Sequence, residues 1–203
     1  MVFMKRLGIL LSGRGSNFLA IHEAIQSGKL QGTEIAVVLS NRAAAQGVAA
    51  ARELGIPAMA IPAGDLTAAE RDAEFVARLR EYGVDLVCLA GYMRLLSPGF
   101  VDAFPDRILN IHPSLLPAFP GLDAQAQALE FGVKVTGCTV HFVDQHLDHG
   151  VIVLQRTVAV EDGDTAETLS ARILVEEHKA YAEAIGRVLS GEWRIAGRRY
   201  LRG

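Results

Sequence analysis

Short apolar runs alternate with amphipathic stretches from the start of the chain. Leu7 to Leu11 is a continuous apolar run, the pattern of a strand buried on both faces. After a glycine-rich turn, Ser16 to Gln26 carries Phe18, Ile21 and Ile25 at helical spacing. Glu34 to Leu39 predicts a second strand, ending in Ser40-Asn41-Arg42. Ala43 to Leu54 is an alanine-rich helix stopped by Gly55, and Pro57 to Ile61 predicts a third strand. Thr67-Ala68-Ala69-Glu70 has the capping-box pattern, opening a helix to about Tyr82 that Gly83 closes. Val84 to Ala90 is the most hydrophobic strand of all.

The pattern changes in the second half. Ser97-Pro98 reads as an N-cap with proline at the first helical position, starting a short helix. The next strand, in Arg107-Ile108-Leu109-Asn110-Ile111-His112, ends in polar residues and is followed by Pro113-Ser114-Leu115-Leu116-Pro117. Asp123 to Phe131 predicts a helix ended by Gly132, and Val135 to Val143 and Val151 to Val158 predict two more strands. Asp164-Thr165-Ala166-Glu167 is a second capping-box pattern, opening a helix to about Leu189. Leu169, Ile173, Leu174, Tyr181, Ile185 and Val188 form its inward stripe, and Glu177 falls on that stripe. The alternation predicts an α/β class: a Rossmann-like three-layer fold, with a mostly parallel central sheet and antiparallel strands in the C-terminal half. A single domain over 1–203 is expected, with residues 1–100 as a phosphate-binding half, 101–190 as a catalytic half and 191–203 as a tail.

Composition narrows the classes. A chain of 203 residues with half its residues hydrophobic is long enough for one substantial core and is not disordered. The net charge of −3 gives no general reason to expect nucleic acid. Arg194, Arg198, Arg199 and Arg202 cluster at the C-terminus, where such a cluster is expected to be solvated and poorly ordered, with extension of the sheet by the last dozen residues as the alternative. Cys88 and Cys138 sit in apolar runs without CxxC spacing, so they read as core thiols of a reducing compartment. The start, Met1-Val2-Phe3-Met4-Lys5-Arg6, is basic, but Leu7 to Leu11 is too short for a signal-peptide core and no apolar run approaches a membrane span. A cytoplasmic protein is expected.

Candidate chemistry gathers where ligands bind in open α/β sheets, beyond the carboxyl ends of the strands. Ser12 to Asn17, Ser40-Asn41-Arg42, Gly91-Tyr92-Met93-Arg94 and Asn110-Ile111-His112 all fall there. Gly13 to Asn17 joins a strand to a helix N-terminus, which favours an anion. The loop has no Gly-Lys-Ser/Thr, and Phe18 stands where a dinucleotide loop has its third glycine, so a phosphate monoester fits better than NAD. Ser16 as a plain N-cap is the alternative. Asn110 and His112 are two apart, so an extended strand points both to one side. An amide there can donate to an oxyanion, and an imidazole can exchange protons near neutrality. A buried histidine satisfied by backbone beside a turn asparagine is the alternative.

The loop Asp144-Gln145-His146-Leu147-Asp148-His149-Gly150 is dense in titratable groups. With His141 it invites a metal reading, but the spacing matches neither a helix-borne pair nor a structural zinc pattern. Asp148 is the better candidate to orient His112 and hold it charged, with an Asx-turn as its alternative role. Glu177, a carboxylate on a core face, needs either a structural arginine or a substrate amine.

These pieces resemble glycinamide ribonucleotide formyltransferase, the folate-dependent family of purine synthesis. The resemblance runs from Leu10-Leu11-Ser12-Gly13-Arg14-Gly15-Ser16-Asn17 to about Tyr181. It is most specific in Leu89-Ala90-Gly91-Tyr92-Met93-Arg94, in Asn110 to Pro117, and in Gly137-Cys138-Thr139-Val140-His141-Phe142 running into Leu147-Asp148-His149-Gly150. It implies Asn110, His112 and Asp148 as the catalytic trio, Gly15, Ser16 and Asn17 as the phosphate loop, and Glu177 as the carboxylate for the glycinamide end. Met93, Arg94 and Leu96, with backbone around Val143 and Asp144, are implied as the folate pocket. The implied reaction carries the formyl group of 10-formyltetrahydrofolate to glycinamide ribonucleotide, without a metal. The implied partners are those two small molecules and neither nucleic acid nor membrane, with the enzyme a monomer or homodimer. Two positions depart from the family: Val151 replaces a usual proline, and His149 is larger than the usual residue before the glycine.

Three rivals are weaker. Methionyl-tRNA formyltransferase shares the chemistry but needs a further C-terminal domain. Formyltetrahydrofolate hydrolases usually carry an N-terminal regulatory region, for which there is no room before Lys5. A mere nucleotide-binding module leaves Asn110, His112 and Asp148 without a purpose.

Overall fold

The computed structural model describes residues 4–62, 64 and 66–203. Met1, Val2 and Phe3, part of the basic start weighed against a signal peptide, lie outside the described residues, as do Ala63 and Asp65. The chain divides into two compact units, Met1–Leu109 and Asn110–Gly203.

The first unit is a parallel strand-and-helix array. Its strands are β1 (Lys5–Leu11), β2 (Thr33–Ser40), β3 (Ala58–Ala60) and β4 (Leu86–Leu89), in the order β3-β2-β1-β4. All pairings among them are parallel. β1 is paired on both edges, and Leu7, Ile9, Leu10 and Leu11 are fully buried, so the unbroken apolar run reflects burial on both faces. The helices are α1 (Ser16–Gln26), α2 (Gln46–Glu53), α3 (Ala68–Glu81) and α4 (Pro98–Ala103). At α3 the capping box closes as expected: Thr67 Oγ1 accepts from the Glu70 amide (3.2 Å), and Glu70 accepts from the Thr67 amide (2.8 Å). α2 starts later than its alanine run suggests, because the Ala45 amide turns back to the Arg42 carbonyl and no side chain caps the helix. A strand end at Ala90 is also shortened, to Leu89.

The chain enters the second unit within β5 (Ile108–His112). Next come α5 (Ala124–Phe131), β6 (Val135–Phe142), β7 (Ile152–Ala159), α6 (Ala166–Leu189), β8 (Trp193–Ala196) and β9 (Arg199–Arg202). β6 and β7 are antiparallel, β9 runs parallel to β7, and β8 pairs antiparallel with β9. Parallel strands early and antiparallel strands late are the α/β class expected from the pattern.

Two expectations need correction here. The second capping box slides by one residue: Thr165 is the N-cap, accepting from the Thr168 amide, and Thr168 Oγ1 accepts from the Thr165 amide. Asp164 instead holds Arg172 (2.7 Å) and accepts from the Glu161 amide (2.8 Å), which together keep its carboxyl far below the ordinary carboxylate range. The arginine-rich tail is not a loose end. It forms the β8–β9 hairpin, in which Trp193 stacks on Tyr200 and the Trp193 indole N–H donates to the Val188 carbonyl (2.8 Å). The arginines remain exposed, while Trp193, Ile195, Tyr200 and Leu201 of the same strands are half-buried.

Along α6, Leu169, Ile173, Tyr181, Ile185 and Val188 are buried and Leu174 is half-buried, so the predicted stripe faces inward. α6 lies against β6 and β7. Among the described residues no helix is long and apolar enough to cross a membrane.

Candidate active site

In the first unit the loop after β1 is tied to its neighbours through one hydroxyl. Ser12 Oγ donates to Asn41 Oδ1 (2.6 Å) and accepts from the Met93 amide (2.9 Å). The ends of β1, β2 and β4 are thereby held in fixed register. Gly15 is the N-cap of α1 in a left-handed conformation, φ 81°, and an added Cβ there would lie 3.0 Å from the Gly47 Cα. Ser16 is therefore the first helical residue and not the cap. The first backbone bond into the helix is Leu19 N–H to the Gly15 carbonyl, so residues 16 to 18 precede the helix's own hydrogen-bond ladder. No acidic residue stands in this first turn, at the positive end of the helix dipole.

Met93 and Arg94 are exposed and Leu96 is half-buried in the loop after β4. Behind that loop stands an ionic group that pattern reading overlooks. Arg71 and Asp72 of α3 are both only 2% exposed, and Asp72 Oδ2 accepts from the Ser97 amide (2.6 Å). Burial, then Asp72, raises the pKa of nearby Tyr92, against a pull from Arg71. The signal was present as charged residues just inside a capped helix, where solvent exposure is the ordinary assumption.

In the second unit the predicted trio comes together. His112 and Asp148 are both nearly buried, with His112 Nδ1 3.3 Å from Asp148 Oδ2. His112 Nε2–H donates to the Phe119 carbonyl (2.8 Å). Both ring nitrogens thus face oxygen atoms, the Asp148 carboxylate on one side and the Phe119 carbonyl on the other. Asp148 Oδ2 also accepts from the Gly121 amide (2.8 Å), so its carboxylate binds a distant loop and makes no Asx-turn. The residues leading to Phe119 are pinned by β6 and β7. Thr139 Oγ1 donates to the Ser114 carbonyl and accepts from the Leu116 amide, while Gln155 donates to the Leu116 carbonyl.

Asn110 brings in a fourth residue. Its Nδ2 lies 3.2 Å from His141 Nε2, and His141 Nδ1 lies 2.7 Å from the Phe142 carbonyl. The carbonyl requires a proton on Nδ1, which leaves Nε2 as the acceptor for the Asn110 amide. His141 is therefore a neutral Nδ1–H tautomer that fixes which way Asn110 points. Asn110 keeps a second N–H for another acceptor. His141 was visible in the sequence only as one of three histidines near the loop; its place inside an apolar strand was the better clue.

Burial, opposed by the Phe142 bond and by Asp148, lowers the pKa of His141 below its ordinary 6.5. The unfolded chain thus takes up this proton first as pH falls. The stabilising contribution is complete above about pH 6.5 and is lost as pH drops toward the folded-state pKa. Denaturation midpoints measured between pH 7.5 and 5 should fall less steeply in His141→Gln than in the parent. Equal slopes would contradict a neutral His141.

Glu177 is 8% exposed on the inner stripe of α6. Its charge, after burial, helps push the Cys138 thiol up to about 12, so that buried sulfur holds its proton and is no nucleophile. Val143 is half-buried and Asp144 follows it at the end of β6. Asp144 accepts from His149 Nδ1–H and from the His146 amide, each at 2.8 Å. Burial is the largest influence on Asp144 and raises its pKa, but those bonds hold it below the ordinary carboxylate value. Asp144, His146 and His149 place one ligand atom each within 4.8 Å of one another, closer than their spacing suggests. They are engaged with each other, and Arg198 Nη1 stands 3.0 Å from His149 Nε2, where a second cation opposes a metal.

An α/β fold carrying a buried cluster of Asn110, His112 and Asp148 suits the class of group-transfer enzymes. The chain belongs to the formyl transferase family, whose sequence model matches residues 5–185. Glycinamide ribonucleotide transformylase 1 from Symbiobacterium toebii superposes with a TM-score of 0.95 at 52% identity, over 98% of this chain and 94% of that one. The chloroplastic phosphoribosylglycinamide formyltransferase of Arabidopsis thaliana is 41% identical over 95% of this chain and 69% of its own length. The trifunctional purine biosynthetic protein adenosine-3 of Drosophila pseudoobscura pseudoobscura is 45% identical over 94% of the chain. The chain spans 14% of that larger relative.

Proposed function

We propose that this enzyme transfers the formyl group of 10-formyltetrahydrofolate to the amine of glycinamide ribonucleotide, in purine biosynthesis. The observation that carries the reading is the Asn110–His141 and His112–Asp148 pairing, which aims two donors at one end of β5. The neutral amine attacks the formyl carbon, and a tetrahedral oxyanion forms. Asn110, through its remaining N–H, and His112 stabilise it, each contributing about 3 kcal/mol. Asp148, a charged acceptor, keeps the N–H it faces. The N–H on the Phe119 carbonyl is thus the one His112 can turn to substrate. The attacking nitrogen then gives a proton to the Asp148 carboxylate, the oxyanion re-forms the carbonyl as the bond from carbon to folate nitrogen breaks, and the departing nitrogen takes up that proton.

In this reading Gly15, Ser16 and Asn17 bind the substrate's phosphate and Glu177 binds its glycinamide end. Met93, Arg94, Leu96, Val143 and Asp144 serve the folate. The whole chain acts as one formyltransferase, as monomer or homodimer, on small molecules alone. Two buried free thiols support a cytoplasmic setting. The deciding assay offers glycinamide ribonucleotide, charged tRNA and water as parallel acceptors. Transfer to glycinamide ribonucleotide is expected; transfer to tRNA alone, or hydrolysis alone, would overturn the assignment.

A further inference from the structure

The β8–β9 hairpin lies beyond residues 5–185, the span of the family's sequence model, yet it reaches the catalytic cluster from two sides. One route runs through Phe142. Its ring packs against Trp193 at 5.2 Å and Tyr200 at 6.4 Å between centroids, and its carbonyl holds the Nδ1–H of His141. The second route runs through Arg198, in the turn between the two hairpin strands. Its Nη2 donates to the His149 carbonyl (2.5 Å), and its Nη1 donates to His149 Nε2 (3.0 Å). His149 in turn donates from Nδ1 to Asp144. The main chain immediately after Asp148 is thus gripped by a guanidinium, and Asp148 itself sits at φ 49°, a conformation its neighbours must enforce.

The hairpin is anchored well enough to act as a support. Tyr200 OH donates to the Arg187 carbonyl and Trp193 to that of Val188, both on α6, and Ile152 of β7 pairs with Arg199. A fork that binds one carbonyl and one ring nitrogen fixes both the position and the rotation of His149. Loops with few buried contacts otherwise open at small cost.

We propose that Arg198 is a positioning residue, which holds the 144–150 loop through His149 so that Asp148 stays in register with His112. The proposal rests on the roles assigned above to Asp148 and His112. Arg198 acts through His149, so its effect is on the chemical step and not on binding of the phosphate-bearing substrate.

Arg198→Ala and Arg198→Lys separate this from a merely structural contact. With Arg198→Ala, kcat should fall about fivefold to tenfold, with KM for the amine substrate changed less than about twofold. Amide hydrogen exchange of residues 145–149 should quicken about tenfold while β6 and β7 stay protected. Lysine retains a donor for the carbonyl and should restore at least about half of the lost turnover. Unchanged exchange at 145–149, or quickened exchange with parental kcat, would overturn the proposal. If the parent protein transfers no formyl group, the assigned function fails, and the His112 ring resonances followed by NMR still decide the clamp. A His112 titration shifted by Arg198→Ala supports it, and an unshifted one overturns it.

Discussion

Replacing His112 with alanine is expected to lower formyl-transfer turnover about 100- to 1,000-fold while leaving a folded protein. The size follows from removing one oxyanion donor and the proton relay together. The fold should survive because Asp148 is not stranded: its Oδ2 keeps the Gly121 amide at 2.8 Å. The Phe119 carbonyl loses its donor, but Phe119 is only half-buried and water can replace the ring nitrogen. A stability loss of about 1–2 kcal/mol is expected, read as a shift in denaturant midpoint at constant slope. His112→Gln, which returns a single amide N–H, should recover the stability and little of the turnover. A folded His112→Ala protein working within about tenfold of the parent would remove the basis of the mechanism.

The site was legible where chemistry follows from strand parity. Asn110 and His112 share a side because they are two apart, and that parity needs no tertiary knowledge. Glu177 was legible for a similar reason, as the one carboxylate on an apolar stripe. His141 and Asp72 were not, because their meaning comes from partners far along the chain: a side-chain amide from β5 in one case, the Ser97 backbone amide in the other. Asp164 shows a subtler limit. Asp164 and Thr165 both suit an N-cap, and only Arg172, eight residues on, decides that the aspartate is used elsewhere. The arginine count alone favours a solvated end at the tail, whereas Trp193, Ile195, Tyr200 and Leu201 among those arginines supply the packing surface of a hairpin.

Gly150→Ala should be nearly as damaging as the loss of His112, by a purely steric route. A Cβ at this position would lie 1.7 Å from the Phe142 carbonyl oxygen and 2.7 Å from its carbon. Both are backbone atoms, so no side chain can swing aside, and the β6–β7 junction must part. The Phe142 carbonyl also orients His141, and Asp148 is only two residues away. One displacement therefore moves both halves of the cluster. A stability loss of about 2–4 kcal/mol is expected from the forced backbone shift. Turnover should fall about 100-fold, the scale associated with displacing a catalytic group by an ångström. Gly163→Ala is the matched control, since a Cβ there meets nothing within 4 Å. It should stay within about 0.5 kcal/mol of the parent. Thermal midpoints and kcat measured side by side distinguish the cases. If Gly150→Ala matched Gly163→Ala in both, the close approach of Gly150 to Phe142 would not be what fixes Asp148, and the loop would have to be held by Arg198 alone.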